Sequence, residues 1–234
     1  MANILLTGAS RGIGAAARAA LHAAGHHVIG QSTAGGDGLI AADFAASGAG
    51  NALWDAAIGA APGGRIDVLV NNAGVFEAAD VADGAAFATA WARSHAINLQ
   101  SAADLCRRAV LHFRETGGGR IINVASRAGH RGDSPAHWHY AAAKGGMIAM
   151  TKSIARGYAR DNILAFAIAP GFTMTGMAEE YLASRGGDKL LADIPLGRVA
   201  DAEEVAEAIR WLAAEAPASL TGSTLDINGA SYVR

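Results

Sequence analysis

The sequence predicts an α/β fold: a parallel sheet with helices on both faces, wound in two directions from its centre. Three observations carry this prediction. Short apolar runs that do not alternate with polar residues recur along the chain, the pattern of strands buried on both faces. Helical stretches separate most of them, which is how parallel strands are joined. Right-handed crossovers between such strands then produce the double winding.

Taken in order, residues 3–7 form the first strand and an Ala-rich stretch over 13–24 the first helix, Ala being the best helix former. Strand two covers 28–31 and strand three 39–42. The Gly-rich connection between them is about eight residues, fewer than the dozen or so a parallel crossover usually takes. Either a tight loop makes this connection or one of the two strands is misplaced. Helix 51–60, strand 66–70, a helical region over 87–114 and strand 120–125 follow. Helix 140–160, strand 163–169, helix 202–214 and strand 224–227 close the chain. About seven strands, with no linker or composition break, predict one doubly wound Rossmann domain over 1–234.

Composition narrows the function. Hydrophobic residues make up 51% of the 234, enough for a sizeable core, and the formal net charge is −2. No Lys/Arg run is present, so neither a nucleic acid nor an anionic membrane is an expected partner. No apolar run approaches the roughly 20 residues needed to span a bilayer. A single cysteine, Cys106, rules out an intramolecular disulfide. The opening MANILLTGAS lacks the charged and apolar zones of a signal peptide, so a cytoplasmic protein is expected.

The first strand runs into Thr7-Gly8-Ala9-Ser10-Arg11-Gly12-Ile13-Gly14, and a helix follows at once. Glycines here let the backbone turn sharply and approach a pyrophosphate facing the helix N-terminus. With 30 Gly in the chain, three at this spacing arise by chance about 0.5 times, so position after a strand is what gives the motif weight. Tyr140-Ala-Ala-Ala-Lys144 is rarer, with four Tyr and three Lys in the chain and a chance expectation near ~0.05. At i and i+4 on a helix, phenol and ammonium share a face.

Other strand ends point to the same edge. Strand five ends in Ile121-Ile122-Asn123-Val124-Ala125-Ser126, strand four is followed by Asn71-Asn72-Ala73-Gly74, and strand six by Pro170-Gly171. In doubly wound sheets, ligands bind beyond the carboxyl ends of the strands.

On these motifs, together with Asn98 in the long central helical region and the closing run Leu220–Gly229, the chain resembles the short-chain dehydrogenase/reductase family over nearly its full length, and 3-oxoacyl-carrier-protein reductase-like members within it. The resemblance implies an NAD(P)-dependent enzyme acting on CH–OH groups, with Asn98, Ser126, Tyr140 and Lys144 as the catalytic set. Tyr140 would be the general acid in carbonyl reduction, or the base in alcohol oxidation. Lys144 and an oxidised nicotinamide would favour its phenolate, Ser126 would hydrogen-bond the reacting oxygen, and Asn98 would hold a water in a proton relay. The resemblance also implies a homotetramer (or homodimer) packed through the helix that carries Gly145 and Gly146. Two departures stand out: one extra residue between Ser126 and Tyr140, and the short segment after strand two.

The expected cofactor contacts are Gly8, Ser10, Arg11, Gly12, Ile13, Gly14, Ser32, Asp43, Phe44, Asn72, Ala73, Gly74, Tyr140, Lys144, Pro170, Gly171, Thr173 and Thr175. Gly30-Gln31-Ser32-Thr33 offers no acid for a ribose 2′-hydroxyl after strand two, and Arg11 is able to fork a 2′-phosphate. NADP(H) is therefore favoured over NAD(H), although Asp37 in the short loop is a candidate for the missing acid. Residues 172–191 are expected to form a substrate lid, with Met174, Met177 and Tyr181 as its adaptable apolar surface. His130, His137, Trp138 and His139 are read as pocket wall or subunit contact, and no metal site is assigned. The substrate is a small-molecule ketone, 3-oxoacyl group or secondary alcohol. The alternatives are an NAD-linked alcohol dehydrogenase and, more remotely, a dinucleotide sensor or scaffold without chemistry.

Overall fold

A computed structural model describes residues 1–174 and 187–234 of the chain. The central sheet contains β1 (Asn3–Leu6), β2 (His27–Ser32), β3 (Ile40–Ala41), β4 (Val68–Asn71), β5 (Gly119–Val124) and β6 (Ile163–Pro170). Its last strand is Thr224–Ile227, and two short strands, β7 (Thr173–Met174) and β8 (Ala200–Asp201), pair apart from it. With Thr224–Ile227 as β9, the order is β3-β2-β1-β4-β5-β6-β9, parallel throughout. This is the doubly wound arrangement, with the winding reversed between β1 and β4.

Strand side chains alternate between the two faces, and two separate cores result. Leu5, Leu69 and Ile121 face one way, against Leu53 and Trp54 of α2 (Ala49–Ala60) and Leu105 and Phe113 of α4 (Ser101–Thr116). Ile4, Leu6, Val70 and Ile122 face the other way. They meet Leu21 of α1 (Gly12–Ala23) and Val205, Ile209 and Leu212 of α8 (Ala202–Ala214). Among the described residues, no helix is long and apolar enough to cross a membrane.

The connection between strands two and three is a tight loop over residues 33–39. Both strands exist, but β3 is only two residues long, pairing Ile40 and Ala41 with Gln31 and Ser32. The long helical region is not continuous. The α3 helix (Gly84–His95) passes through a π-helical turn at Ala96–Gln100 before α4 begins. Such bulges collect at functional sites, and this one contains Asn98. The described residues also contain three further α-helices: α5 (Ala128–Arg131), α6 (Trp138–Tyr158) and α7 (Gly187–Ala192).

Candidate active site

The site assembles where β1, β4, β5 and β6 end. The turn after β1 is held from below by Thr7, whose hydroxyl oxygen accepts the backbone N–H groups of Asn72 and Ala73, both at 3.0 Å. Asn72 returns the contact, its amide donating to the carbonyls of Thr7 (3.0 Å) and Gly8 (3.2 Å). Helix α1 then starts so close to this turn that a Cβ on Gly14 would lie 1.9 Å from the Gly8 carbonyl oxygen. Only glycine fits there, and the backbone is thereby left open to a ligand. Among the described residues no side chain caps helix α1, which leaves its first N–H groups open to an anion. Arg11 is exposed, and none of the described residues partners its guanidinium. These features fit the pyrophosphate of a dinucleotide.

The opposite half is built around α6, whose residues Tyr140 and Lys144 stand one turn apart with the ammonium 5.8 Å from the centre of the phenol ring. Lys144 is 3% exposed and donates to the Val124 carbonyl at 2.8 Å. Burial disfavours its charge and holds its pKa near 8. Tyr140 moves in the opposite sense: burial raises its pKa, Asp133 adds to the rise, and the hydrogen bond with Ser126 pulls it down. Desolvation outweighs the Ser126 hydrogen bond, so the neutral phenol is the favoured form of Tyr140 in this arrangement.

Two close glycine contacts place Ser126 against this helix. A Cβ on Gly129 would lie 2.7 Å from the Lys144 carbonyl carbon, and one on Gly145 would lie 3.2 Å from the Gly129 oxygen. The turn after β5 therefore sits directly on α6. Gly146 approaches Leu99 in the same way, at 3.0 Å, so the two helix glycines answer to neighbours within this chain. The Ser126 hydroxyl accepts the Ala128 N–H at 3.1 Å. Next to it, the buried Arg127 pairs with Asp193 at 3.3 Å and lies over the Phe172 ring.

Asn98 is fully buried in the π-helical turn. Its carbonyl accepts the Val75 N–H at 2.9 Å, and its amide donates to the Val75 oxygen at 3.0 Å and Ser94 Oγ at 2.9 Å. The side chain is consumed in holding the segment after β4. A Cβ on Gly74 would meet Asn98 Oδ1 at 2.9 Å and Lys144 Nζ at 3.5 Å, so that segment, Asn98 and Lys144 converge on one point. Both amide donors of Asn98 are thus committed to the protein, to Val75 and Ser94, and not to the water expected there.

Several expected contacts sit differently. The Phe44 ring is buried in the core, and one oxygen of the exposed Asp43 carboxylate accepts the Ala45 N–H at 2.9 Å. Ser32 Oγ accepts the Gly35 N–H at 3.0 Å and shapes the short loop. Thr173 opens β7 beside Pro170 and Gly171, whereas Thr175, Met177 and Tyr181 lie outside the described residues. The histidines before α6 build a wall. His137 stacks on Phe76 at 3.9 Å, Phe76 meets the Tyr140 ring edge-on at 4.8 Å, and buried His139 bonds the Glu77 carbonyl at 2.9 Å. Among the described residues, no group of three or more His, Cys, Asp or Glu side chains is placed to hold a metal ion.

Gln31 is a residue that sequence reasoning missed. It is 1% exposed, accepts the Gly8 N–H at 2.9 Å and donates to the Ala42 carbonyl at 2.7 Å. It thus ties the phosphate turn to the end of β3. A polar side chain at the end of an apolar strand was the available signal.

The chain is similar to known proteins over nearly its whole length. The profile of a family described as enoyl-(acyl carrier protein) reductase matches residues 8–230. The chain is 36% identical over 239 residues to the 3-oxoacyl-[acyl-carrier-protein] reductase of Escherichia coli, covering 98% of this chain and 96% of that one. It is 34% identical to an acetoacetyl-CoA reductase of Rhizobium meliloti, with 97% of each covered. Among solved structures, one described as a 2-deoxy-D-gluconate 3-dehydrogenase from Agrobacterium tumefaciens with bound NADP superposes with a TM-score of 0.88 at 27% identity, over 100% of this chain and 97% of that one.

Proposed function

The chain belongs to the short-chain dehydrogenase/reductase family and is an oxidoreductase; from that premise we propose that it is an NADP(H)-dependent carbonyl reductase for a ketone or 3-oxoacyl substrate. The observation that carries the reading is the Tyr140–Lys144 pair on one face of α6, with Ser126 hydrogen-bonded to the phenol. The dinucleotide, when bound, supplies the hydride. Tyr140 then donates its proton to the carbonyl oxygen, and its raised pKa keeps that proton available. Ser126 hydrogen-bonds the same oxygen as negative charge develops on it.

Lys144 anchors the nicotinamide ribose and lends positive charge to the phenolate as it forms. Asn98 is a positioning residue that keeps the segment after β4, and with it Gly74, against Lys144. Gly8, Gly12 and Gly14 frame the pyrophosphate, and Arg11 reads the 2′-phosphate. In this reading residues 1–234 act as one dinucleotide-binding and catalytic domain, with 172–191 as lid. A cytoplasmic homotetramer or homodimer belongs to the same reading.

Titration of the purified protein with NADPH and NADH, followed by nicotinamide fluorescence, tests the cofactor. Turnover with an acetoacetyl thioester and a simple ketone tests the reaction. Tighter NADPH binding with reduction of either substrate is expected. Tighter NADH binding with alcohol oxidation would replace the reading by an NAD-linked dehydrogenase. Binding without turnover on any carbonyl or alcohol would favour a sensor.

A further inference from the structure

The loop that joins β2 to β3 leaves a gap in the charge balance of the adenosine site. Reading a 2′-phosphate usually involves a cation close to the end of the second strand. Here residues 33–39 read Thr-Ala-Gly-Gly-Asp-Gly-Leu, with no Lys or Arg. A phosphate monoester carries about −1.5 to −2 at neutral pH, and Arg11 alone leaves it under-neutralised.

The loop is too short for a helix, so it does not cover α1. A groove of about 350 Å³ lies between them, lined by Ser10 of the phosphate turn, Arg18 and His22 of α1, and Asp37 and Leu39 of the loop. Arg18 crosses this groove. One of its guanidinium nitrogens donates to the Asp37 backbone carbonyl at 3.0 Å, and that carbonyl is its single hydrogen-bond partner among the described residues. The remaining donors of the fork are open to a ligand entering beside Ser10.

We propose that Arg18, reaching across this groove from α1, is the second reader of the adenosine 2′-phosphate and replaces the cation that the shortened loop lacks. The proposal rests on the NADP(H) reading. Arg18 lines the groove beside Ser10, Arg11 is the next residue along the phosphate turn, and the Asp37 carbonyl orients the Arg18 fork. The Asp37 carboxylate lines the same groove, is exposed, and makes no hydrogen bond or ion pair with the described residues. It opposes the phosphate, so the two residues act on cofactor choice with opposite signs.

The test is the dissociation constant of NADPH and of NADH for wild type, Arg18→Gln and Asp37→Asn, read by nicotinamide fluorescence. Gln removes the charge and, two bonds shorter, also the bond to the Asp37 carbonyl, so brace and charge are separated by comparing the two dinucleotides, only one of which carries the 2′-phosphate. Arg18→Gln is expected to weaken NADPH at least tenfold and NADH less than twofold, and Asp37→Asn to tighten NADPH two- to fivefold. Equal weakening of both dinucleotides would make Arg18 a brace only, and no weakening would remove it from the site; either overturns the proposal. Wild type binding NADH more tightly, or neither dinucleotide, overturns the cofactor reading and this proposal with it.

Discussion

The two halves of the dinucleotide crevice are built in opposite ways. On the reacting side, Lys144 and Asn98 are buried, their polar atoms are occupied by Val124, Val75 and Ser94, and glycine contacts leave no slack between α5 and α6. On the side proposed for the adenosine, Arg11 is exposed with no partner among the described residues, β3 is two residues long, and a groove separates the loop from α1. Rigid geometry is needed where a proton and a hydride move, because small displacements there cost rate. Where a remote phosphate is recognised, charge suffices and the backbone can be shortened. If the function is as proposed, the difference makes the reaction and the choice of dinucleotide separable in this chain.

Three substitutions break or sharpen that separation. The largest effect is expected of Tyr140→Phe, which removes the proton donor. Turnover should fall by about 10³-fold, within the range for general acids, while NADPH binding by fluorescence changes little. Retention of most of the activity would mean that another group donates the proton.

Lys144→Met should lower turnover by about 10²-fold, within the range for removing a group that stabilises developing charge, yet stabilise the fold. The Lys144 pKa is held near 8 by burial. The unfolded chain therefore binds the extra proton between about pH 8 and 10.5, and wild-type stability from this group rises with pH across that window. Below pH 8 the penalty is in full force. Offset by the lost bond to Val124, its removal should raise unfolding free energy by about 1–2 kcal/mol at pH 7. Urea unfolding should show the gain shrinking towards pH 10.5. A gain that is the same at both pH values would mean that Lys144 is not desolvated.

Gln31→Leu should leave kcat within twofold, the smallest effect on turnover. It strands the Gly8 N–H and the Ala42 carbonyl and should cost about 1–3 kcal/mol of stability. NADPH should bind several-fold more weakly, since the phosphate turn loses its tie to β3. A large fall in kcat instead would show that the two halves are coupled through the turn.

Much of this could be read locally. Tyr140 and Lys144 face the same space because four residues make about one helical turn, and their contact needs nothing distant. Unalternating runs such as 163–169 announce strands covered on both faces, and with them the sheet edge where Ser126 and Pro170 stand. The tight connection after β2 was visible in its length. The break in the central helix was not, because a π-helical turn at Ala96–Gln100 has no composition of its own.

By itself, the sequence determined the winding of the sheet, the edge where Asn72, Ser126 and Pro170 stand and the residue types gathered there, because periodicity and spacing over a few neighbouring positions mark the strands and their ends. The tertiary structure alone decided what those residues experience. The Lys144 pKa near 8 and the raised Tyr140 pKa, the contacts that occupy Asn98, the reach of Gln31 to Gly8 and of Arg18 to Asp37 all depend on segments far apart in the chain. Desolvation and close approach are properties of what surrounds an atom, and only the folded arrangement brings those surroundings together.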